Sequence, residues 1–112
     1  MYNFELMGNE KLIKIFDDLL IKQNKISKFT TLILTDKRLL FLKYVNDYRE
    51  NLRIGKGVDY IKYKEVYYQI NLIDIKDIVH DKYYKVVMQD ETIFEFNNNN
   101  LYKLIKSLIQ NN

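Results

Sequence analysis

One change of hydrophobic period, near the C-terminus, constrains this chain more than any other feature. Up to Phe96 the apolar residues alternate or come in short runs. Beyond it, Leu101, Leu104, Ile105 and Leu108 fall at i, i+3, i+4 and i+7, with Lys103, Lys106 and Gln110 opposite. That spacing predicts one amphipathic helix over about 98–110. One of Asn97 to Asn99 would cap it, because an Asn side-chain oxygen accepts from the free amides of the first turn.

Everything before the helix reads as strands. Phe29 to Leu34 and Arg38 to Tyr44 are two strand-like runs joined by Thr35-Asp36-Lys37, the pattern of a hairpin. Val66, Tyr68, Ile70 and Leu72 alternate with Tyr67, Gln69 and Asn71. Asp74 to His80 continues after a bend; Tyr84, Val86 and Met88 alternate; Gln89-Asp90-Glu91 turns the chain into Thr92 to Phe96. Residues 1–10 read as a loose lead-in. Residues 11–22 fit two patterns: Leu12, Ile15, Phe16 and Leu19 form a helical stripe, while the same segment suits a strand bulged at Asp17-Asp18. Residues 46–65 mix charges, hold two of the three glycines and are expected to form a long charged loop.

About seven antiparallel strands and one helix make a mainly β (α+β) fold in a single domain spanning 1–112, with its core over about 10–110. An antiparallel meander with one apolar face must close on itself or be covered, and a terminal helix with one apolar stripe can plug the open end. The expected core is Leu34, Leu40, Ile70, Leu72, Val86, Phe94 and Phe96 with Leu101, Leu104, Ile105 and Leu108.

The segments LILTDKRLLFL (Leu32 to Leu42) and YYQINLIDIKDI (Tyr67 to Ile78), followed by the helix, resemble the bacterial pleckstrin-homology-like and GRAM-like domains, in which a Leu-Thr-x-x-Arg-Leu hairpin recurs. The resemblance spans about 10–110 and implies a barrel closed by its C-terminal helix. The 46–65 segment departs from the pattern, as does a helix without tryptophan. Family membership does not imply lipid binding. Members that grip phosphoinositides carry a basic-x-Arg on the second strand, and here Lys28-Phe29-Thr30 puts Thr at the Arg position, removing the bidentate fork. Bacterial relatives can assemble as rings.

Residue supply argues against catalysis. Cysteine is absent, excluding disulfides, thiolate nucleophiles and thiolate metal sites. Two serines (Ser27, Ser107) and one histidine (His80) make no nucleophile–base–orienter set. Asp74, Asp77, His80 and Asp81 are the one cluster of candidate metal ligands, and strand alternation separates them. The glycines of RIGKGVDY (Arg53 to Tyr60) lack phosphate-loop spacing. No catalytic residue, metal or cofactor is expected, and no small-molecule substrate. Tyr and Phe are numerous, yet a net charge of +3 is low for a nucleic-acid binder, so nucleic acid is not an expected partner. The start of the chain has no basic region that would mark a signal peptide, and a cytoplasmic location is expected.

Two surfaces stand out. Between Leu19 and Lys64 there are eleven Lys/Arg against four Asp/Glu; Lys22, Lys25, Lys28, Arg53 and Lys56 are the candidate contacts to a weakly bound anionic membrane surface. The hairpin 29–44 is apolar on both faces, so something must cover its outside: the 46–65 loop, the N-terminal segment, or a second copy. An apolar patch of this size favours a second copy meeting Ile33, Leu39 and Phe41. The expected function is a noncatalytic protein-interaction or self-assembly module, a homo-oligomer or a binder of another protein, with a membrane-surface adaptor as the alternative.

Overall fold

The computed structural model describes residues 2–50 and 58–110, with side chains over 2–44 and 64–110. Eight strands and one helix follow in order: β1 (Tyr2–Asn3), β2 (Leu12–Gln23), β3 (Ile26–Thr35), β4 (Arg38–Glu50), β5 (Val58–Asn71), a 3-10 turn (Leu72–Asp74), β6 (Ile75–His80), β7 (Tyr84–Met88), β8 (Ile93–Phe96) and α1 (Asn99–Gln110). The protein is mainly β with one C-terminal helix. The strands form one sheet in the order β1-β5-β4-β3-β2-β8-β7-β6, antiparallel except for the β1–β5 pair. Of the expected barrel or strongly bent sheet of about seven strands, the mainly β sheet is present, with eight strands and no closure. Among the described residues β1 and β6 are free edges, and the sheet curls around its core without closing. Strand β2 joins the two halves, because it pairs with β3 from Leu12 to Gln23 while Ile21, Lys22 and Gln23 also pair on their other side with Phe96, Glu95 and Phe94 of β8.

Segment 11–22 is a strand, and its bulge explains the false helical stripe. Register slips between Phe16↔Leu32 and Leu19↔Thr30, with Asp18 at φ 54°. Two residues opposing one flips the parity of the side chains, so Phe16 and Leu19, three apart, both reach the core. A bulge at Tyr67 does the same in β5: Phe41 pairs with Tyr68 but Leu42 with Val66. Val66 therefore leaves the face of Ile70 and Leu72, where alternation placed it, and packs on the opposite side of the sheet.

The expected loop 46–65 is also corrected. Pairs Asn46↔Lys62 through Glu50↔Val58 continue the β4–β5 ladder, so 46–50 and 58–65 are strand. Arg53, Lys56, Leu52 and Ile54 lie outside the described residues.

The two-residue link Asp36-Lys37 sets the hairpin register as Leu34↔Leu39, Ile33↔Leu40 and Leu32↔Phe41. Leu32, Leu34, Leu39 and Phe41 thus share the inner face with Ile70, Val86, Phe94, Phe96, Leu101 and Ile105 in the main core. Leu40 is buried, but on the outer face with Ile33 and Leu42. In the helix the fully buried pair is Leu101 and Ile105; Leu104 and Leu108, expected to be buried, flank the stripe and are half-buried. Asn98 is the cap: its Oδ1 accepts from the Leu101 amide at 3.0 Å, and its carbonyl takes the first helical bond from Tyr102.

The cover of the outer face is the N-terminal segment. Its Tyr2 and Phe4, with Ile15 of β2 and Val66 of β5 alongside, pack against Ile33, Leu40 and Leu42. Of the residues expected to meet a second copy, Ile33 lies in this outer cluster whereas Leu39 and Phe41 face the main core, and each is at most 2% exposed within one chain.

Candidate functional site: the fork between two strands

The outer face carries two ionic clusters that clamp the N-terminal segment at both ends. At one end Arg38 donates Nε to Glu10 Oε2 at 2.7 Å and Nη2 to Glu10 Oε1 at 2.9 Å, a bidentate pair. Thr35 Oγ1 donates to Glu10 Oε2 at 2.6 Å and accepts from the amides of Lys37 and Arg38. Arg38 also reaches Gln69 and the Glu5 carbonyl. The Arg38 guanidinium, outweighing the cost of burial, holds the Glu10 carboxyl down at about 2. The Thr-x-x-Arg motif is thus the socket for Glu10.

At the other end Lys64 donates to Asp17 at 3.0 Å and to Thr31 at 2.7 Å, and Tyr2 donates its hydroxyl to Asp17 at 3.0 Å. Burial alone would lower the Lys64 pKa, but the hydrogen bond and charge of Asp17 raise it. The Lys64 hydrogen bond, opposed by burial, lowers that of Asp17. Both clusters are structural.

Beyond Thr31↔Leu42 the β3–β4 ladder stops. The Thr30 hydroxyl donates to the Leu42 carbonyl at 2.9 Å and accepts from Tyr67 at 3.3 Å. From there β3 runs back to Ile26 paired with β2 alone, and β4 runs on paired with β5 alone, among the described residues. The result is a fork with a backbone edge on each prong. On its inner side Lys28 Nζ lies 4.2 Å and Lys43 Nζ 5.9 Å from the Tyr67 ring centre, two cations beside one ring. Outside, Phe29 (71% exposed) and Tyr44 (66%) flank the gap, with Lys64 over the Tyr44 ring at 4.7 Å. A pocket of about 130 Å³ opens here, lined by Asp18, Phe29, Thr30, Leu42, Tyr44 and Lys64 among others.

The candidate cations do not form one patch. Lys28 sits on the inner face of the fork. Lys22 pairs in register with Glu95 on the opposite face, where it lines a separate pocket with Leu20, Ser27 and Tyr83. Lys25 occupies the β2–β3 turn beside Asn24 and lines a further pocket together with Lys22, and Arg53 and Lys56 are outside the described residues. Lys43, Phe29 and Tyr44 escaped the sequence reading; the alternation of RLLFLKY carries the signal for Lys43, since Lys43 shares a parity with core residue Phe41. Thr30 is 4% exposed and engaged by Leu42 and Tyr67.

His80 stacks on Tyr84 with ring centres 4.3 Å apart. Among the described residues no group of three or more His, Asp or Glu is placed to hold a metal, and no helix is long and apolar enough to cross a membrane. Comparison with protein-family models finds no match to this chain, and comparison with curated proteins finds none either.

Proposed function

We propose that this chain is a noncatalytic protein-interaction module of the pleckstrin-homology-like class, working in the cytoplasm, and that the β3–β4 fork is where it meets its partner. Seven of the strands form two antiparallel meanders, β2 to β5 and β6 to β8, joined where β2 pairs with β8, and the helix follows the last strand, which supports the class. The observation that carries the binding reading is the contrast between the interior and the fork. Buried polar side chains have hydrogen-bond partners throughout the described residues. The fork instead presents exposed aromatics, exposed lysines and strand edges together. Exposed polar and aromatic groups on a rigid scaffold are the ordinary material of recognition.

A photo-crosslinking residue in place of Phe29, compared in cells with one at Ile73 (86% exposed), tests this. Protein adducts specific to position 29 are expected; identical adducts at both positions would refute the reading.

The membrane-surface alternative rests on Lys28 and Lys43, at roughly 1 kcal/mol per basic residue near an anionic surface. Such binding would fall steeply with salt and would not distinguish phosphoinositide isomers, because Thr30 provides no guanidinium fork. Flotation with anionic vesicles at low and physiological salt examines it.

A further inference from the structure

We propose that the fork accepts an extended peptide whose residues alternate between acidic and apolar, pairing with the free edge of β3 at Ile26 to Phe29. This rests on the interaction-module reading and specifies the partner's chemistry.

Three observations combine. First, this stretch of β3 bonds to β2 on one side only, so its other row of amides and carbonyls is a template for an added strand. Edges exposed without such a role are commonly guarded by charge or proline. This one carries a charge at Lys28, but beside it Ile26 at 67% and Phe29 at 71% exposure. Second, the two faces of the fork differ in chemistry. Lys28 and Lys43 approach Tyr67 on the inner face, while Phe29 and Tyr44 stand on the outer, with Lys43 also lining the gap between them. Among the described residues neither Lys28 nor Lys43 has a carboxylate within ion-pair distance. Third, successive side chains of a strand point to opposite faces. A strand added here sends every second residue toward the lysines and the others toward the aromatics. Acidic residues suit the first set and apolar residues the second. Asp18 lines the aromatic side, where the incoming residues carry no charge to repel.

The same geometry disfavours a membrane as the occupant. A flat bilayer meets one face of the sheet, whereas the exposed lysines Lys28 and Lys43 and the exposed aromatics Phe29 and Tyr44 lie on opposite faces. A strand threads between them and reaches both.

The probe is a fluorescein-labelled Glu-Val-Glu-Val-Glu-Val peptide, followed by anisotropy and by amide hydrogen exchange on the full chain. Saturable binding is expected, with new protection at Ile26 to Phe29. The shuffled peptide Glu-Glu-Glu-Val-Val-Val should bind about tenfold or more weakly. N-methylating alternate amides on the pairing edge should abolish binding while leaving the protein untouched. The double variant Lys28→Glu/Lys43→Glu and the single variant Phe29→Ser, all at exposed positions, should each weaken binding about tenfold. Equal affinity for the shuffled peptide, protection appearing on the β6 edge instead, or no binding at about 1 mM would each overturn the proposal. Specific crosslinks at Phe29 without peptide binding would discard strand addition and leave the interaction module standing. Charge-dependent flotation with phosphatidylserine vesicles and no peptide binding would assign the lysines to a membrane instead.

Discussion

The Glu10 carboxylate and the Arg38 guanidinium, 28 residues apart in sequence, meet fork to fork at 2.7 and 2.9 Å and hold the N-terminal segment against the outer face of the sheet. The Glu10 side chain is fully buried and that of Arg38 is 12% exposed. Truncating one partner of such a pair leaves the other charge buried and uncompensated, which costs about 3–5 kcal/mol. Glu10→Ala is therefore expected to destabilise the fold by that amount in urea denaturation, and Arg38→Lys to rescue Arg38→Ala only in part, because an ammonium cannot make the bidentate contact. An unchanged midpoint for Glu10→Ala would show that the socket contributes nothing.

The same pair sets an acid limit. The folded-state pKa of Glu10, about 2, lies below its ordinary 4.5. The folded state therefore holds this proton less readily than the unfolded chain, and the associated stability is fully present above about pH 5. It is lost as pH falls from 4.5 toward 2. Stability against pH should decline in that window for the native chain and less steeply for Glu10→Gln, measured by chemical denaturation at each pH.

Removing the N-terminal cover should turn an internal surface outward. Deleting residues 2–9 uncovers Ile33, Leu40 and Leu42, against which Tyr2 and Phe4 pack. Exposed contiguous apolar surface drives association. The shortened chain is expected to sediment as larger species than the full chain at equal concentration and to bind a hydrophobic dye. Identical sedimentation of the two chains would contradict the covering role.

The helix should show a graded response along its stripe. Leu101 and Ile105 are fully buried, so alanine at either is expected to cost about 2–5 kcal/mol through lost burial and a cavity. Half-buried Leu104 should cost clearly less. Asn98→Ala, losing the cap to the Leu101 amide, should cost about 1 kcal/mol. Thermal unfolding of the four variants ranks them.

One substitution should stabilise. Asn24 and Lys25, at φ 52° and 67°, form the two-residue turn between β2 and β3, the left-handed pair that a type I′ turn requires. Asn accepts that conformation, but Lys is strained there. Lys25→Gly is expected to raise stability by about 0.5–1 kcal/mol, since relieved strain outweighs the added freedom of the unfolded chain. A lower melting temperature for Lys25→Gly would refute the assignment.

Local periodicity alone determined the elements that depend on neighbours in sequence: the terminal helix and its Asn cap, the 29–44 hairpin, and the strands at Tyr84–Met88 and Ile93–Phe96. It also showed that the hairpin is apolar on both sides and must be covered. What it left open is governed by parity and by distance along the chain. Bulges at Asp17-Asp18 and Tyr67 each insert one residue, reversing which side chains face the core, and no composition rule marks them. Residues 46–50 and 58–65 read as a loop because their charges hide a ladder that only the partner strand reveals. The cover over Ile33 is a segment more than twenty residues upstream, joined by a carboxylate that looks like any surface Glu until Arg38 and Thr35 close around it. The fork is likewise invisible locally: Lys28, Lys43 and Tyr67 come from three strands, and only the curling of the sheet brings them to one side of one gap.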